Sequence, residues 1–258
     1  MKVLFAAAEV APFSKAGGLA DVVGSLPKYL ENDAEIAIFT PLHGLIDINK
    51  YEIKELENSA LWLTFNGKGH KFRLFMCKLP GTDINVFFVH NDWYFSCFKD
   101  VYPKWLDPEY EHERYIAFSL AVMEYAKLLN FKADIIHAND WHTAMIPVYL
   151  HSNYRYDEFW KNTKTVFEIH NLAYQGVWFE SVLDFANMRK DIVYNEWGVE
   201  HYGKVNWMKG AINYSDKVIA VSPNYAREIV TGEYGEGMDY TLRMNQHKIC
   251  LLYPSDAA

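Results

Sequence analysis

A doubly wound α/β fold with a mostly parallel sheet is predicted from two observations along the chain. Short apolar runs alternate with segments of helical periodicity, and polar or glycine-containing loops follow those runs. With 258 residues, half of them hydrophobic and 22% charged, the chain can bury a sizeable core, which excludes a disordered class.

The first strand is placed within Val3–Ala11, because Val3-Leu4-Phe5-Ala6-Ala7 is apolar at every position, as a strand buried on both faces must be. A loop with Pro12, Lys15 and Gly17-Gly18 follows. Leu19, Val22, Val23, Leu26 and Leu30 then recur at helical spacing, so a helix begins just after the glycines, and Pro27 is expected to end or kink it early. Glu35–Thr40 reads as the second strand. Leu61–Phe65 and Lys71–Leu79 flank Asn66-Gly67-Lys68-Gly69 as a hairpin, and with Asn85–Val89 they predict an antiparallel excursion beside the parallel sheet. A long helix over Glu109–Leu129 places Phe118, Ala121, Val122, Tyr125, Leu128 and Leu129 on one broad face, with Glu111 and Glu113 favouring its positive end. Strand Asp134–His137, a helix from about Trp141 to Leu150, and strands Thr165–Ile169 and Lys217–Val221 continue the alternation. Ser222-Pro223 then supplies a helix cap and first helical residue.

The balance of 25 basic and 33 acidic residues, a net charge of −8, leaves no general basic footprint for nucleic acid. No apolar run approaches the roughly 18 residues of a membrane span, and Glu9 arrives too soon after Val3–Ala8 for a signal peptide. Cys77, Cys97 and Cys250 are widely separated and read as free thiols of a reducing compartment, so a cytoplasmic protein is expected. The aromatic content of 16% exceeds what a plain domain requires, and flat rings that fill cores also stack on sugars.

In an open parallel sheet, ligands collect beyond the carboxyl ends of the strands. Four segments fall there: Glu9–Gly18, His137–His142, His170–Gly176 and Ser222–Tyr225. Gly17 and Gly18 let backbone approach an anion at a helix start, with Lys15 adding charge; the alternative is a tight turn with a solvated lysine. The segment has neither the GxGxxG nor the GxxxxGK[ST] spacing. Asn139 and Asp140 can hydrogen-bond sugar hydroxyls and Trp141 can stack on a ring, while a core or capping role for His137 or His142 stays open. These two histidines lack the i, i+4 spacing of a helical zinc site, so no metal is assigned. Asn171, Tyr174, Gln175 and a closing Gly176 repeat the same polar and aromatic character after His170. No serine or cysteine nucleophile stands out, and no cofactor is called for.

These segments resemble the glycogen and starch synthases. The likeness is carried by Glu9 with Lys15-Ala16-Gly17-Gly18-Leu19-Ala20-Asp21-Val22, by Asn91–Phe95, by His137–His142, by His170-Asn171-Leu172-Ala173-Tyr174-Gln175-Gly176, and by Asn206–Ile229. The resemblance implies one Rossmann-like half of a GT-B architecture, two domains facing a cleft. It implies retaining transfer of glucose from ADP-glucose, or UDP-glucose in some relatives, to the non-reducing end of an α-1,4-glucan. Lys15, Gly17 and Gly18 would approach the donor diphosphate; His170 would lie beside the transferred glucose; Asp140 would orient sugar or acceptor. Asp21 and Tyr94 would line the same side, with His137, Asn139, Trp141, His142, Asn171, Tyr174 and Gln175 completing the substrate-facing set. The implied partners are ADP-glucose and glucan, with no nucleic acid and no membrane.

Residues 1–243 are expected to form the amino-terminal catalytic domain and 244–258 an atypical tail, with the carboxyl-terminal nucleotide-sugar domain absent and the isolated chain inactive. Glu31-Asn32-Asp33-Ala34 also departs from the family, which often has glycine-histidine there. Two rivals are a noncatalytic glucan-binding domain using Trp141 and Tyr174, and another GT-B transferase using UDP-glucose. A nucleotide-dependent oxidoreductase lacks its glycine fingerprint.

Overall fold

The computed structural model describes residues 1–250. The chain runs β1 (Lys2–Ala6), α1 (Gly18–Leu30), β2 (Glu35–Pro41), β3 (Lys54–Glu55), β4 (Leu61–Phe65), β5 (Lys68–Lys78) and β6 (Asn85–His90). Next come α2 (Pro108–Leu128), β7 (Ile135–Asn139), α3 (Met145–His151), β8 (Lys164–Ile169), β9 (Val177–Trp178), α4 (Ser181–Phe185) and α5 (Lys190–Val193). It ends with β10 (Glu200–His201), β11 (Lys204–Asn206), α6 (Trp207–Tyr214), β12 (Lys217–Ala220), α7 (Pro223–Glu228), α8 (Asp239–Met244) and β13 (Ile249–Cys250).

The main sheet has the order β13-β12-β8-β7-β1-β2-β6-β5-β3, with β4 also paired to β5. From β13 to β6 every neighbouring pair is parallel; β5 then joins β6, β4 and β3 antiparallel, giving the expected excursion. The order reverses at β1, which has β2 on one side and β7 on the other, so a topological switch point lies between β1 and β7. Alternate residues of β1 feed opposite cores. Val3 and Phe5 pack with Leu19 and Val23 of α1, while Leu4 and Ala6 pack with the large cluster of α2, α3 and α6.

Several boundaries differ from the sequence reading for identifiable reasons. β1 stops at Ala6, and the apolar run continues as a loop that is still bonded to the sheet through Ala7 N–H to the Phe39 carbonyl at 3.1 Å. Pro27 does not end α1, which runs to Leu30 with the proline buried one turn from its end. The hairpin turn is tighter than four residues, with Asn66 and Gly67 alone between paired Phe65 and Lys68, both at positive φ (47° and 72°). The α2 helix, capped by Asp107 Oδ1 accepting from Glu109 N–H at 2.8 Å, is buried on nearly every side rather than on one face. Its interior includes polar His112, Arg114 and Ser119. A small sheet of β10, β11 and β9 and the two-residue β3 carry too few residues to show in a pattern. The anticipated tail begins at the last residue of α8, and β13 pairs parallel with β12 through Ile249 and Cys250; positions 251–258 lie outside the described residues. Among the described residues the cysteines are free, and no helix is long and apolar enough to cross a membrane.

Candidate active site

The loop from β1 to α1 folds onto itself through Glu9. Its carboxylate is 2% exposed and accepts from the backbone N–H groups of Ala16 and Gly17, the latter at 3.2 Å. Burial raises the Glu9 pKa, offset in part by these two N–H donors. The loop is also strapped to the helix it feeds, with Ala11 N–H donating to the Ala20 carbonyl at 3.0 Å. A β-carbon at Gly24 would lie 2.5 Å from the Ala11 oxygen, so only glycine admits this approach.

Beyond Glu9 the loop is open. Lys15, Ala16, Gly17 and Gly18 are exposed, Gly17 leads α1 without a side-chain cap, and a β-carbon at Gly18 would meet nothing within 4 Å. Lys15 Nζ holds Asp21 Oδ1 at 2.7 Å, both side chains being more than half exposed. Glu9 already occupies the N–H groups of Ala16 and Gly17, so it is the exposed N–H groups from Gly18 onward, at the start of a thirteen-residue helix and beside Lys15, that can receive an anion.

The β7 end is closed and internally bonded. Asn139 Nδ2 donates to the Ala6 carbonyl at 3.0 Å, tying β7 to β1 across the switch point. That bond turns Asn139 Oδ1 toward His170 Nε2, 3.1 Å away, so the imidazole is held as the Nε2–H tautomer with Nδ1 as acceptor. Asp140 follows at φ 54°, a strained backbone for a non-glycine residue. Its Oδ1 accepts from the N–H groups of His170 at 2.8 Å and Asn171 at 3.3 Å, binding the β7 and β8 loops together. Burial pushes the Asp140 pKa up to about 7, against the pull of those two donors and with help from the nearby Glu9.

Beneath this pair lies Glu168, 4% exposed, with Oε2 3.4 Å from His137 Nε2 and 3.9 Å from His170 Nε2. Burial and then Asp140 raise its pKa to about 7. Burial depresses His170 to about 4; for His137, burial and then His170 lower it to about 3. The floor of the site is therefore a buried polar layer whose histidines are neutral near pH 7 and whose two carboxyl groups titrate there.

The His170 loop is fixed from the next strand as well. Leu172 N–H donates to Tyr225 Oη at 2.9 Å, and Gln175 links Asn206 Nδ2 (2.7 Å) with the Glu236 carbonyl (2.9 Å). Gly176 adopts φ 65°, and a β-carbon there would fall 2.4 Å from the Trp141 indole. Trp141 and His142 stand behind the rim: the indole is 6% exposed, and the imidazole packs against Tyr102, Tyr115 and Trp141 at centroid distances of 4.9, 4.5 and 4.5 Å. Tyr174 is 66% exposed at the loop surface, beside exposed Asn171.

The structure thus gathers Lys15, Gly17, Gly18 and Asp21 on one lip, and Asn139, Asp140, His170, Asn171 and Gln175 on the other, with His137 buried between β1 and β8. Tyr94 packs elsewhere: its ring is 1% exposed, stacked near Phe72 (6.2 Å) and Tyr110 (5.9 Å). Glu9, Glu168 and Tyr225 organise the site yet carried no role in the sequence-derived set. Glu9 could have been singled out as a carboxylate directly following a buried strand; Glu168 and Tyr225 carried no separate signal. Among the described residues, no group of three or more His, Cys, Asp or Glu side chains is placed to hold a metal ion.

A parallel sheet reversing at β1, with two polar lips at that reversal, defines one Rossmann-like half of a GT-B-type architecture. The same half is seen in the catalytic domain of starch synthase IV from Arabidopsis thaliana, solved with ADP and acarbose, at a TM-score of 0.86 and 27% identity over 96% of this chain and 50% of that one. The chain belongs to the starch synthase catalytic domain family, whose model matches residues 2–244. It is 46% identical over 249 residues to the glycogen synthase of Thermotoga maritima and 38% identical over 256 residues to that of Alkaliphilus metalliredigens, covering 95% and 96% of this chain. The chain spans about half the length of the curated relatives it matches, 50% and 51% in these two.

Proposed function

We propose that this chain is the amino-terminal half of a glycogen or starch synthase, which transfers glucose from ADP-glucose to the non-reducing end of an α-1,4-glucan with retained configuration. The observation that carries the reading is the meeting of an open helix start and a pre-bonded Asp140–His170 pair at one switch point. Family membership and the ADP and acarbose of the Arabidopsis relative support it. A cytoplasmic location accords with these substrates.

The chemistry follows from the two lips. The donor diphosphate lies toward the α1 start and Lys15, where N–H groups and an ammonium favour the charge gained as the C1–O(phosphate) bond breaks. The sugar lies toward His170, where the Asp140-bound loop holds its position as C1 becomes oxocarbenium-like. Acceptor O4 attacks from the leaving-group face, and its proton passes to the departing phosphate oxygen, so no protein nucleophile is required. Exclusion of water favours transfer over hydrolysis.

Residues 1–243 make up this half, and contacts from a second domain complete the donor site. The 258-residue chain alone is therefore expected to incorporate no measurable labelled glucose into glycogen. Robust incorporation by homogeneous chain would overturn the division of the donor site between two halves. In a form carrying both halves, Lys15→Ala is expected to lower turnover by about 10²-fold or more, and unchanged turnover at saturating donor would remove Lys15 from the leaving-group site. A parallel assay with UDP-glucose distinguishes the UDP-glucose transferases.

A further inference from the structure

The two lips enclose one buried acid to which the transfer chemistry gives no task. Glu168 stands opposite Asn139 in the β7–β8 register, so its side chain shares a sheet face with Asn139 and His137. Its Oε2 is buried without a hydrogen-bond partner, although His137 Nε2 is 3.4 Å away and His170 Nε2 3.9 Å. An unpaired buried carboxyl oxygen weakens a fold, and the neighbours of Glu168 in β8, Phe167 and Ile169, are wholly buried and apolar. Folding therefore gives no reason for an acid at this position. Asn139 fixes the imidazoles around it. Its Oδ1 faces His170 Nε2 at 3.1 Å and its Nδ2 lies 3.3 Å from His137 Nδ1, so both rings carry their proton on Nε2, the nitrogen the Glu168 carboxyl approaches.

We propose that Glu168 is a positioning residue for glucosyl transfer: as a carboxylate it draws on the His137 Nε2–H and, through the adjoining His170 ring, lends negative potential to the sugar carbon that becomes cationic. The assignment rests on the proposed function, which puts the sugar beside His170. Among the described residues no lysine or arginine forms an ion pair with Glu168. The titratable groups around it are His137, His170 and, from the β7 loop, Asp140; the β1–α1 loop brings Glu9, which acts on Asp140, and α7 brings Tyr225, bonded to the Leu172 N–H. From β12 the residue opposite is the uncharged Ile219. Burial and then Asp140 hold the Glu168 midpoint near 7, so its charge is present above that pH and fades below it as the carboxyl takes a proton from solvent.

The test has two arms. In the 258-residue chain, carbon-13 NMR follows the Glu168 carboxyl, assigned by its loss in Glu168→Gln, and proton–nitrogen correlation follows the imidazoles; thermal melts confirm that the variant folds. Glu168 is expected to titrate near pH 7, with the His137 and His170 ring nitrogens shifting at the same midpoint while both rings stay neutral. Glu168→Gln is expected to abolish that inflection. Ionisation below about pH 5, the ordinary carboxylate range, or imidazole shifts that do not follow Glu168, overturns the proposal. In a form carrying both halves, kcat is expected to rise about tenfold through this midpoint and to be flat in Glu168→Gln, with KM for the donor unchanged. Asp140→Asn is expected to keep the rising limb, moved to lower pH by loss of the neighbouring charge. A rising limb retained in Glu168→Gln, or lost only in Asp140→Asn, overturns the proposal. So does a loss in Glu168→Gln that is equal at every pH, which marks a purely structural role. Failure of ADP-glucose to perturb the Gly17–Gly18 lip would instead sink the proposed function while leaving the carboxyl titration standing.

Discussion

The two lips of the candidate site solve different problems. The β1–α1 lip is open: Lys15, Gly17 and Gly18 face solvent, and the lysine is occupied only by an exposed pair with Asp21. The β7–β8 lip is closed, its polar atoms committed to one another through Asn139, Asp140 and His170 before any ligand arrives. One lip can reorganise around a charged group, while the other presents a fixed polar shape; in the proposed function these receive the donor diphosphate and its sugar. Substitutions should therefore damage folding on the closed lip and binding on the open one.

Acid should produce the largest effect, because many titrating groups are buried, on the closed lip and in the core around both lips. His43 and His137 are depressed to about 3, His112 and His170 to about 4, and His142 well below its ordinary value, in each case first by burial. Between those values and 6.5 the unfolded chain binds protons that the folded chain does not, so stability falls as pH drops through that window. Asp140 and Glu168, raised to about 7, act oppositely, since the folded state holds their protons up to that pH. Burial also lowers His70, His90, His151 and His201 and raises Glu9, Glu111 and Glu113, so nine depressed histidines outweigh five raised carboxyl groups. Thermal melts should show a steady loss of stability from pH 6.5 toward 4, and a flat profile would contradict the burial of neutral histidines.

Paired glycine substitutions come next. Gly176→Ala should cost about 3 kcal/mol, combining left-handed backbone strain with overlap on Trp141. Gly18→Ala should change stability by less than about 0.5 kcal/mol, since its β-carbon meets nothing. Similar losses at both positions in urea titrations would erase the distinction between the lips.

Asp140→Ala should cost about 2 kcal/mol, leaving the His170 and Asn171 N–H groups without their acceptor and alanine at φ 54°. Asp140→Asn keeps an acceptor oxygen in a side chain of the same shape, so it should recover most of the loss. Equal damage from both would mean that charge, not the bond to the His170 loop, is what matters. The smallest folding effect belongs to Lys15→Ala, within about 0.5 kcal/mol because its ion pair is exposed.

The contrast between the lips also sets what was legible in the sequence. Gly17-Gly18 before a helical repeat, and polar clusters after apolar runs, located both lips because backbone topology alone brings strand ends together. The direction of side chains was not legible. Arg114 shares the face of Phe118, Ala121 and Tyr125 while His112 lies off it, yet both are buried because α2 is enclosed on nearly every side. Tyr94 belongs to a segment resembling the family's site, but its ring turns into an aromatic cluster whose partners, Phe65, Phe72 and Tyr110, come from distant parts of the chain. Glu9 and Glu168 are single carboxylates whose importance comes from the loops folded over them.

The central claim, that the two lips together face one sugar nucleotide, is tested most directly by backbone amide NMR of the 258-residue chain titrated with ADP-glucose. The account predicts that shifts concentrate at Gly17, Gly18 and Leu19 on the open lip and at His170 and Asn171 on the closed one, with the open-lip shifts reduced in Lys15→Ala. Shifts confined to other surfaces, or none at millimolar ADP-glucose, would contradict it.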